Sequence, residues 1–188
     1  TITTFRAKII RTTIMPFHPT PIADLIVFEP QLWKDDRGYF NESYNFQTFA
    51  AAGIRTTFIQ DNEAKSTYGV LRGLHYQVAP YAQAKLVRVL EGEVLDVAVD
   101  LRPHSETYGQ SYSIRLSAEN KKQLFVPRGF AHGYVVLSET AVFAYKVDNY
   151  YSKKSEGGVI YNDPNLQIDW QIAEADIVLS EKDKILHN

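Results

Sequence analysis

The stretch from Lys85 to Leu101 constrains this chain more than any other. It reads KLVRVL-EGE-VLDVAVDL, two apolar arms around a Glu-Gly-Glu break. In the second arm Leu95, Val97, Val99 and Leu101 recur at period two, the repeat of a strand that buries one face. The segment is predicted to be a hairpin turning at Gly92. Further strands are expected at 24–29, 39–44, 57–61, 69–77, 109–117, 122–126, 132–137 and 140–148, each bounded by turn residues. One helix is expected after Asn45, with Asn45 as cap, Phe46, Phe49 and Ala50 on one face and Gly53 as terminator. Residues 162–171 read as irregular, and Ser180 to Leu186 as a short terminal helix. Many short strands joined by turns make an all-β chain, a sandwich or barrel of antiparallel sheets with a few short helices.

Composition narrows the function. With 188 residues, 45% hydrophobic, the chain has room for one sizeable core. A net charge of −2 gives no electrostatic footprint for nucleic acid. No apolar run is long enough to cross a bilayer. Cysteine is absent, which removes disulfides, thiolate metal sites and thiol nucleophiles and suits a reducing, cytoplasmic setting. Residues 1–23 carry Arg6, Lys8 and Arg11 and no acid before Asp24, and Met15 precedes Pro16. Residues 1–15 are expected to be an N-terminal arm or a segment upstream of the natural start, and 16–188 a single domain.

Polar residues inside the strands carry the chemical information. Arg72 and His75 lie three apart, on opposite sides of a regular strand, but Gly73 between them permits a bulge that re-aims one. The competing reading is a surface arginine and a satisfied core histidine. Lys85 opens an apolar strand, so it lies at a sheet edge or in a polar cavity. Pro127-Arg128-Gly129 is a turn delivering His132 onto a strand, and Tyr145 sits in an otherwise apolar strand. Pro127-x-Gly129-x-x-His132 resembles the second half of the cupin signature. Only His75 and His132 are evident as ligands, with Gln77 where a second histidine would complete His-x-His, so the barrel reads as free of metal and cofactor. Phosphate-loop, dinucleotide and serine-elbow patterns are absent.

Eight motifs then fall into one order: DDRGYFNESYN (35–45), QDNEAKS (60–66), LRGLHYQ (71–77), QAKLVRV (83–89), GEVLDVAVDLR (92–102), LSAENKKQLFVPRGFAHGY (116–134), AYKVDNYYSKKSEGG (144–158) and LSEKD (179–183). Together they resemble the dTDP-4-dehydrorhamnose 3,5-epimerase family over roughly residues 16–184. The sequence departs from the family at Trp170-Gln171, where Trp-Pro is common, and in its longer N-terminal arm. The resemblance implies a cupin-type jelly roll, metal-independent and homodimeric. It also implies inversion of C3 and C5 of dTDP-4-dehydro-6-deoxy-D-glucose, with the N-terminal part of one chain completing its neighbour's site. By the same resemblance His75 is the base, Asp183 its dyad partner, Lys85 the oxyanion stabiliser and Tyr145 the proton donor. Arg37, Glu42, Gln60, Asp61, Asn62, Arg72, Lys85, His132, Glu156 and Lys182 fall on substrate-binding positions. For Asp183 a capping box with Ser180 competes with the dyad role, and for Arg37 and Lys182 plain surface charge competes. Trp33, Phe40 and Tyr151 are candidates to stack on thymine. Three alternatives stay open: a single-centre epimerase on a related dTDP-ketosugar, a non-catalytic sugar- or nucleotide-binding jelly roll, and a metal-dependent cupin.

Overall fold

The computed structural model describes residues 16–186, so the expected arm at 1–15 lies outside the described residues. The strands are β1 (Phe17–Pro19), β2 (Ile26–Phe28), β3 (Trp33–Asp35), β4 (Gly38–Phe40), β5 (Gln60–Thr67), β6 (Leu71–Gln77), β7 (Lys85–Glu91), β8 (Glu93–Asp100), β9 (Ser111–Ser117), β10 (Gln123–Val126), β11 (Phe130–Val136), β12 (Thr140–Val147) and β13 (Glu156–Gly158). They form a six-stranded sheet in the order β1-β2-β10-β7-β12-β5 and a five-stranded sheet in the order β13-β6-β11-β8-β9. Every pairing within them is antiparallel. The two sheets face one another as a jelly roll of the cupin type. β3 and β4 make a separate exposed hairpin.

The expected hairpin at Gly92 is not one. β7 pairs with β10 and β12, whereas β8 pairs with β11 and β9, so the chain crosses between sheets at Gly92. Both edges of each strand are already occupied. Gly92 has φ +75°, and a Cβ there would stand 2.0 Å from the carbonyl oxygen of Thr140, so only glycine makes this crossing.

Three apolar clusters explain why the central strands are apolar on both sides. Between the sheets lie Val87, Val94, Ala98, Leu116, Leu124 and Phe143, among others. The stripe at Leu95, Val97 and Val99 faces the other way. It packs on the outer face of the five-stranded sheet with Leu71, Leu74 and Trp170, beneath the irregular C-terminal segment. The outer face of the six-stranded sheet is covered by α1 (Phe46–Ala51), through Phe49 against Phe28, Ile54 and Leu86.

The Asn45 side chain accepts from the amides of Gln47 and Thr48, a cap worth about 1 kcal/mol. Of the face expected on that helix only Phe49 is buried; Phe46 is exposed, because six residues present barely one inward position. Some expected strands shorten. Residues 24–29 reduce to β2, 39–44 stop at Phe40, and pairing in 57–61 begins at Gln60. The expected terminal helix is a single 3-10 turn, Asp183–Ile185. Among the described residues no helix is long and apolar enough to cross a membrane.

Candidate active site

The site begins with two glycines. Gly73 has φ +134°, and a Cβ there would stand 2.6 Å from the Cα of Gly133; a Cβ at Gly133 would stand 2.7 Å from the carbonyl oxygen of Arg72. Their missing side chains let β6 and β11 close on one another. His75 stands opposite His132 and Arg72 opposite Tyr134, so two residues of β6 face one of β11. This is the bulge that the glycine permits. As a result Arg72 and His75 both line one cavity, while Leu74 between them joins the outer apolar cluster.

That cavity measures about 560 Å³ and lies between the sheets. His75, His132 and Arg72 reach it from the five-stranded sheet, and Lys85 and Tyr145 from the six-stranded sheet. Ser180, Lys182 and Asp183 close one side from the C-terminal segment.

His75 Nε2 and Asp183 Oδ1 are 2.5 Å apart. With the shared proton on Nε2, Nδ1 is left as the free lone pair of a neutral ring. Burial pushes the His75 pKa below its ordinary value. The Asp183 charge opposes this without overcoming it, and Lys85 and Lys182 add to the fall. His75 is therefore a neutral base at pH 7. The Ser180 hydroxyl accepts from the Asp183 amide at 3.2 Å. Capping and dyad thus coexist: the backbone of Asp183 is capped while its carboxylate turns to His75.

Burial lowers the Lys85 pKa to about 8, with Asp96 pulling the other way. Lys85 is mostly cationic at neutral pH and loses that charge just above it. Asp96 is wholly buried and lies 3.0 Å from His132 Nε2 through both carboxylate oxygens. Sequence reasoning missed Asp96. The one signal for it is an acid inside a strand that is apolar on both sides, on the face opposite the 95-97-99 stripe. Burial raises the Tyr145 pKa against the lowering pull of Arg72, so its phenol keeps its proton at neutral pH. Arg72 Nε donates to Ser66 Oγ at 3.1 Å. At the rim Glu156 accepts from Lys182 and, at 2.9 Å, from the Tyr151 hydroxyl.

The remaining expected residues do not line this cavity. Arg37 is exposed on the β3–β4 hairpin and paired with Asp35 at 2.5 Å. Glu42 accepts from Asn45. Gln60 donates to Asn62 at 2.8 Å, and Asn62 stands opposite Tyr145 in register, further along the edge strand. Asp61 pairs with Lys146 at 2.8 Å. Trp33 and Phe40 pack on one another on the hairpin, tilted by 34° at 5.8 Å, which leaves Tyr151 as the aromatic candidate joined to the rim. Among the described residues no group of three or more His, Cys, Asp or Glu side chains is placed to hold a metal ion.

Comparison with known proteins gives one consistent answer. The family model described as dTDP-4-dehydrorhamnose 3,5-epimerase matches residues 19–188. The enzyme of that name from Pseudomonas aeruginosa is 54% identical over 164 residues, covering 87% of this chain and 90% of the relative. The crystal structure of dTDP-4-dehydrorhamnose 3,5-epimerase from Elizabethkingia anophelis NUHP1 is similar with a TM-score of 0.88 and 59% identity, over 91% of this chain and 94% of that one. The corresponding epimerase of Legionella pneumophila, crystallised with dTDP-4-keto-L-rhamnose, gives a TM-score of 0.87 at 48% identity, over 91% and 90% of the two chains.

Proposed function

The chain belongs to the dTDP-4-dehydrorhamnose 3,5-epimerase family, an isomerase that converts dTDP-4-dehydro-6-deoxy-D-glucose to dTDP-4-dehydro-L-rhamnose, and from that premise we propose how its side chains divide the work. One observation carries the proposal: His75 reaches the cavity from one sheet and Tyr145 from the other. Inversion of a carbon acid needs a base and a donor on opposite faces.

The C4 ketone acidifies the protons on C3 and C5. Neutral His75 takes one, the C–H electron pair becomes the enolate double bond, and negative charge passes to the C4 oxygen. The Lys85 ammonium meets that oxygen. Tyr145 then returns its phenolic proton to the opposite face of the carbon. Exchange with water discharges the imidazolium and reprotonates the phenolate, and the cycle repeats at the second carbon. Asp183 stabilises the imidazolium while it exists. Arg72 and Lys182 supply cationic charge for the substrate diphosphate, and Tyr151 a ring for thymine.

Arg37, Glu42, Gln60, Asp61 and Asn62 match family binding positions yet lie outside this cavity. We place them in the site of a second copy, in a cytoplasmic homodimer whose exposed β3–β4 hairpin reaches across, with residues 16–188 as one domain. Light scattering that finds a monomer at micromolar concentration overturns this part.

The chemical proposal is tested by solvent deuterium wash-in measured beside product stereochemistry. The parent enzyme incorporates two deuterons, one at each inverted carbon; a single-centre epimerase incorporates one. Tyr145→Phe should keep wash-in with retention at His75 and lose inversion by roughly 10²-fold or more. Inversion of both centres at the parent rate shows that Tyr145 is packing and the donor lies elsewhere.

A further inference from the structure

Gln77 stands two residues after His75, at the end of β6, yet it does not line the cavity. It is buried, and its amide is engaged outside the strand ladder. Nε2 donates to the carbonyl of Tyr81 at 2.8 Å and to that of Tyr150 at 3.2 Å, and Oε1 accepts from the Ser152 amide at 2.6 Å. One side chain thus grips the main chain on each side of Tyr151. Two further amides knit the same loops. Gln83 Nε2 donates to the Asn149 carbonyl at 2.7 Å, and Asn149 Nδ2 to the Pro80 carbonyl at 2.9 Å.

This bracing matters because of where Tyr151 lies. It falls between the end of β12 at Val147 and a 3-10 turn at Lys153–Ser155, outside every strand pairing. Its ring is exposed, and its hydroxyl is tied to the cavity rim through Glu156, which also accepts from Lys182. An aromatic ring on a loose loop must lose main-chain and side-chain freedom when a base stacks on it, and that loss weakens binding. A loop fixed beforehand avoids it. The side chain that fixes this loop must donate twice and accept once. Glutamine does both, glutamate can only accept, and methionine has no hydrogen to give.

We propose that Gln77 is a positioning residue for nucleotide binding: by holding the chain on both sides of Tyr151, it sets that ring at the rim before the thymine base arrives. The inference rests on Tyr151 being the ring that meets thymine. Gln77 lies outside the cavity lined by His75, Lys85, Arg72 and Lys182, so its effect falls on binding of the base and not on the proton transfers.

Gln77→Met keeps the length of the side chain and removes all three hydrogen bonds. KM for dTDP-4-dehydro-6-deoxy-D-glucose should rise about five-fold, the low end for a lost base–aromatic stack, with kcat within about two-fold of the parent. Inhibition by dTDP should weaken by the same factor. Inhibition by inorganic pyrophosphate, which carries no base, should stay within about two-fold. Gln77→Glu still accepts from Ser152 but donates to neither carbonyl; it should show the same split, and it guards against a folding defect peculiar to the methionine variant. A fall in kcat at unchanged KM overturns the proposal, because Gln77 then braces the chemical groups or the fold alone. Equal weakening of dTDP and pyrophosphate overturns it too, because the amide then serves the diphosphate end. Tyr151→Ala separates this failure from that of the underlying reading. If it weakens dTDP while the Gln77 variants do not, the ring assignment stands and this inference falls. If it leaves dTDP binding unchanged, the ring assignment itself falls and this inference with it. In a Tyr151→Ala background, Gln77→Met should add no further loss of dTDP affinity. A further loss overturns the proposal, because Gln77 then acts on something other than that ring.

Discussion

Two histidine–aspartate pairs stand a strand apart in this fold and do different work. His132 and Asp96 come from adjacent strands of one sheet, with side chains 6% and 0% exposed. His75 sits opposite His132 in register, but its carboxylate comes from outside the sheets, on the 3-10 turn at Asp183, and its ring is 30% exposed. The first pair is nearly enclosed by the β framework, with only the edge of His132 on the cavity; its acid is spent on His132 and on sustaining the charge of Lys85. The second opens on the cavity, where a ring nitrogen can exchange protons with substrate and water. The same two residue types are thus a charge support or an acid–base pair according to which element brings the acid and how much of the ring is open.

The sharpest way to break this comparison is to remove each working group. His75→Ala should abolish both wash-in and inversion, by roughly 10³-fold or more, since the other histidine of the cavity, His132, is nearly enclosed and held by Asp96. Wash-in that survives identifies a different base. Lys85→Ala should slow both by roughly 10²–10³-fold, the loss of an oxyanion donor. In the parent the enolate needs Lys85 charged, so activity should fall above a pH of about 8. Tyr145, whose pKa is raised above its ordinary value, does not interfere there. A kcat/KM profile flat through pH 9 contradicts the assignment of Lys85.

The two aspartates should then move opposite limbs of that profile. Asp183 holds the His75 pKa up against burial, so Asp183→Asn lowers it further. The base stays neutral to lower pH and the acid limb shifts down, while kcat drops roughly 10²-fold because the imidazolium loses its counter-charge. Asp96 holds the Lys85 pKa up, so Asp96→Asn lets it fall and moves the alkaline limb down, with a rate loss of about ten-fold. Asp96→Asn should also destabilise the fold more, because it breaks a fully buried pair. If either variant moves the other's limb, the two pairs are not separate devices.

Much of this was legible in the sequence, and the gaps have physical reasons. Gly73 between Arg72 and His75 announced the bulge that aims both at the cavity. The Pro127–Gly129 turn announced His132. The hairpin at Gly92 misled because apolar arms around a tight turn specify a reversal but not its plane, and neighbours far along the chain, β10 and β12 on one side and β9 and β11 on the other, had already claimed the edges. Asp96 was hidden because both faces of β8 are buried, so alternation does not mark which face is inward. Arg37 and Glu42 read as binding residues by motif, yet where a hairpin reaches depends on contacts that local sequence does not encode.

The smallest expected effect probes how the exchanging pair is held. The His132–Asp96 pair is fixed by strand register, whereas Asp183 depends on a one-turn segment whose side-chain tie is the Asp183 amide donating to Ser180 Oγ at 3.2 Å, beside main-chain bonds from the Asp183 and Lys184 amides to the Ser180 carbonyl. Ser180→Ala removes that tie and leaves the His75–Asp183 contact chemically intact. Ser180 is exposed, so the loss should be near the low end for a cap, about 0.5 kcal/mol, which shifts Tm by about 1–2 °C in a chain of this size. Activity should fall only about two- to five-fold, because the cost is in the fraction of time that the carboxylate is in place and not in its chemistry. In an Asp183→Asn background the same change should leave kcat where it was, since misplacing a carboxylate that is no longer there costs nothing. If kcat falls in that background too, Ser180 acts on the substrate directly. If kcat is unchanged in the parent, the Ser180 hydroxyl has no part in placing Asp183, and the main-chain turn with the hydrogen bond to His75 holds it without that side chain.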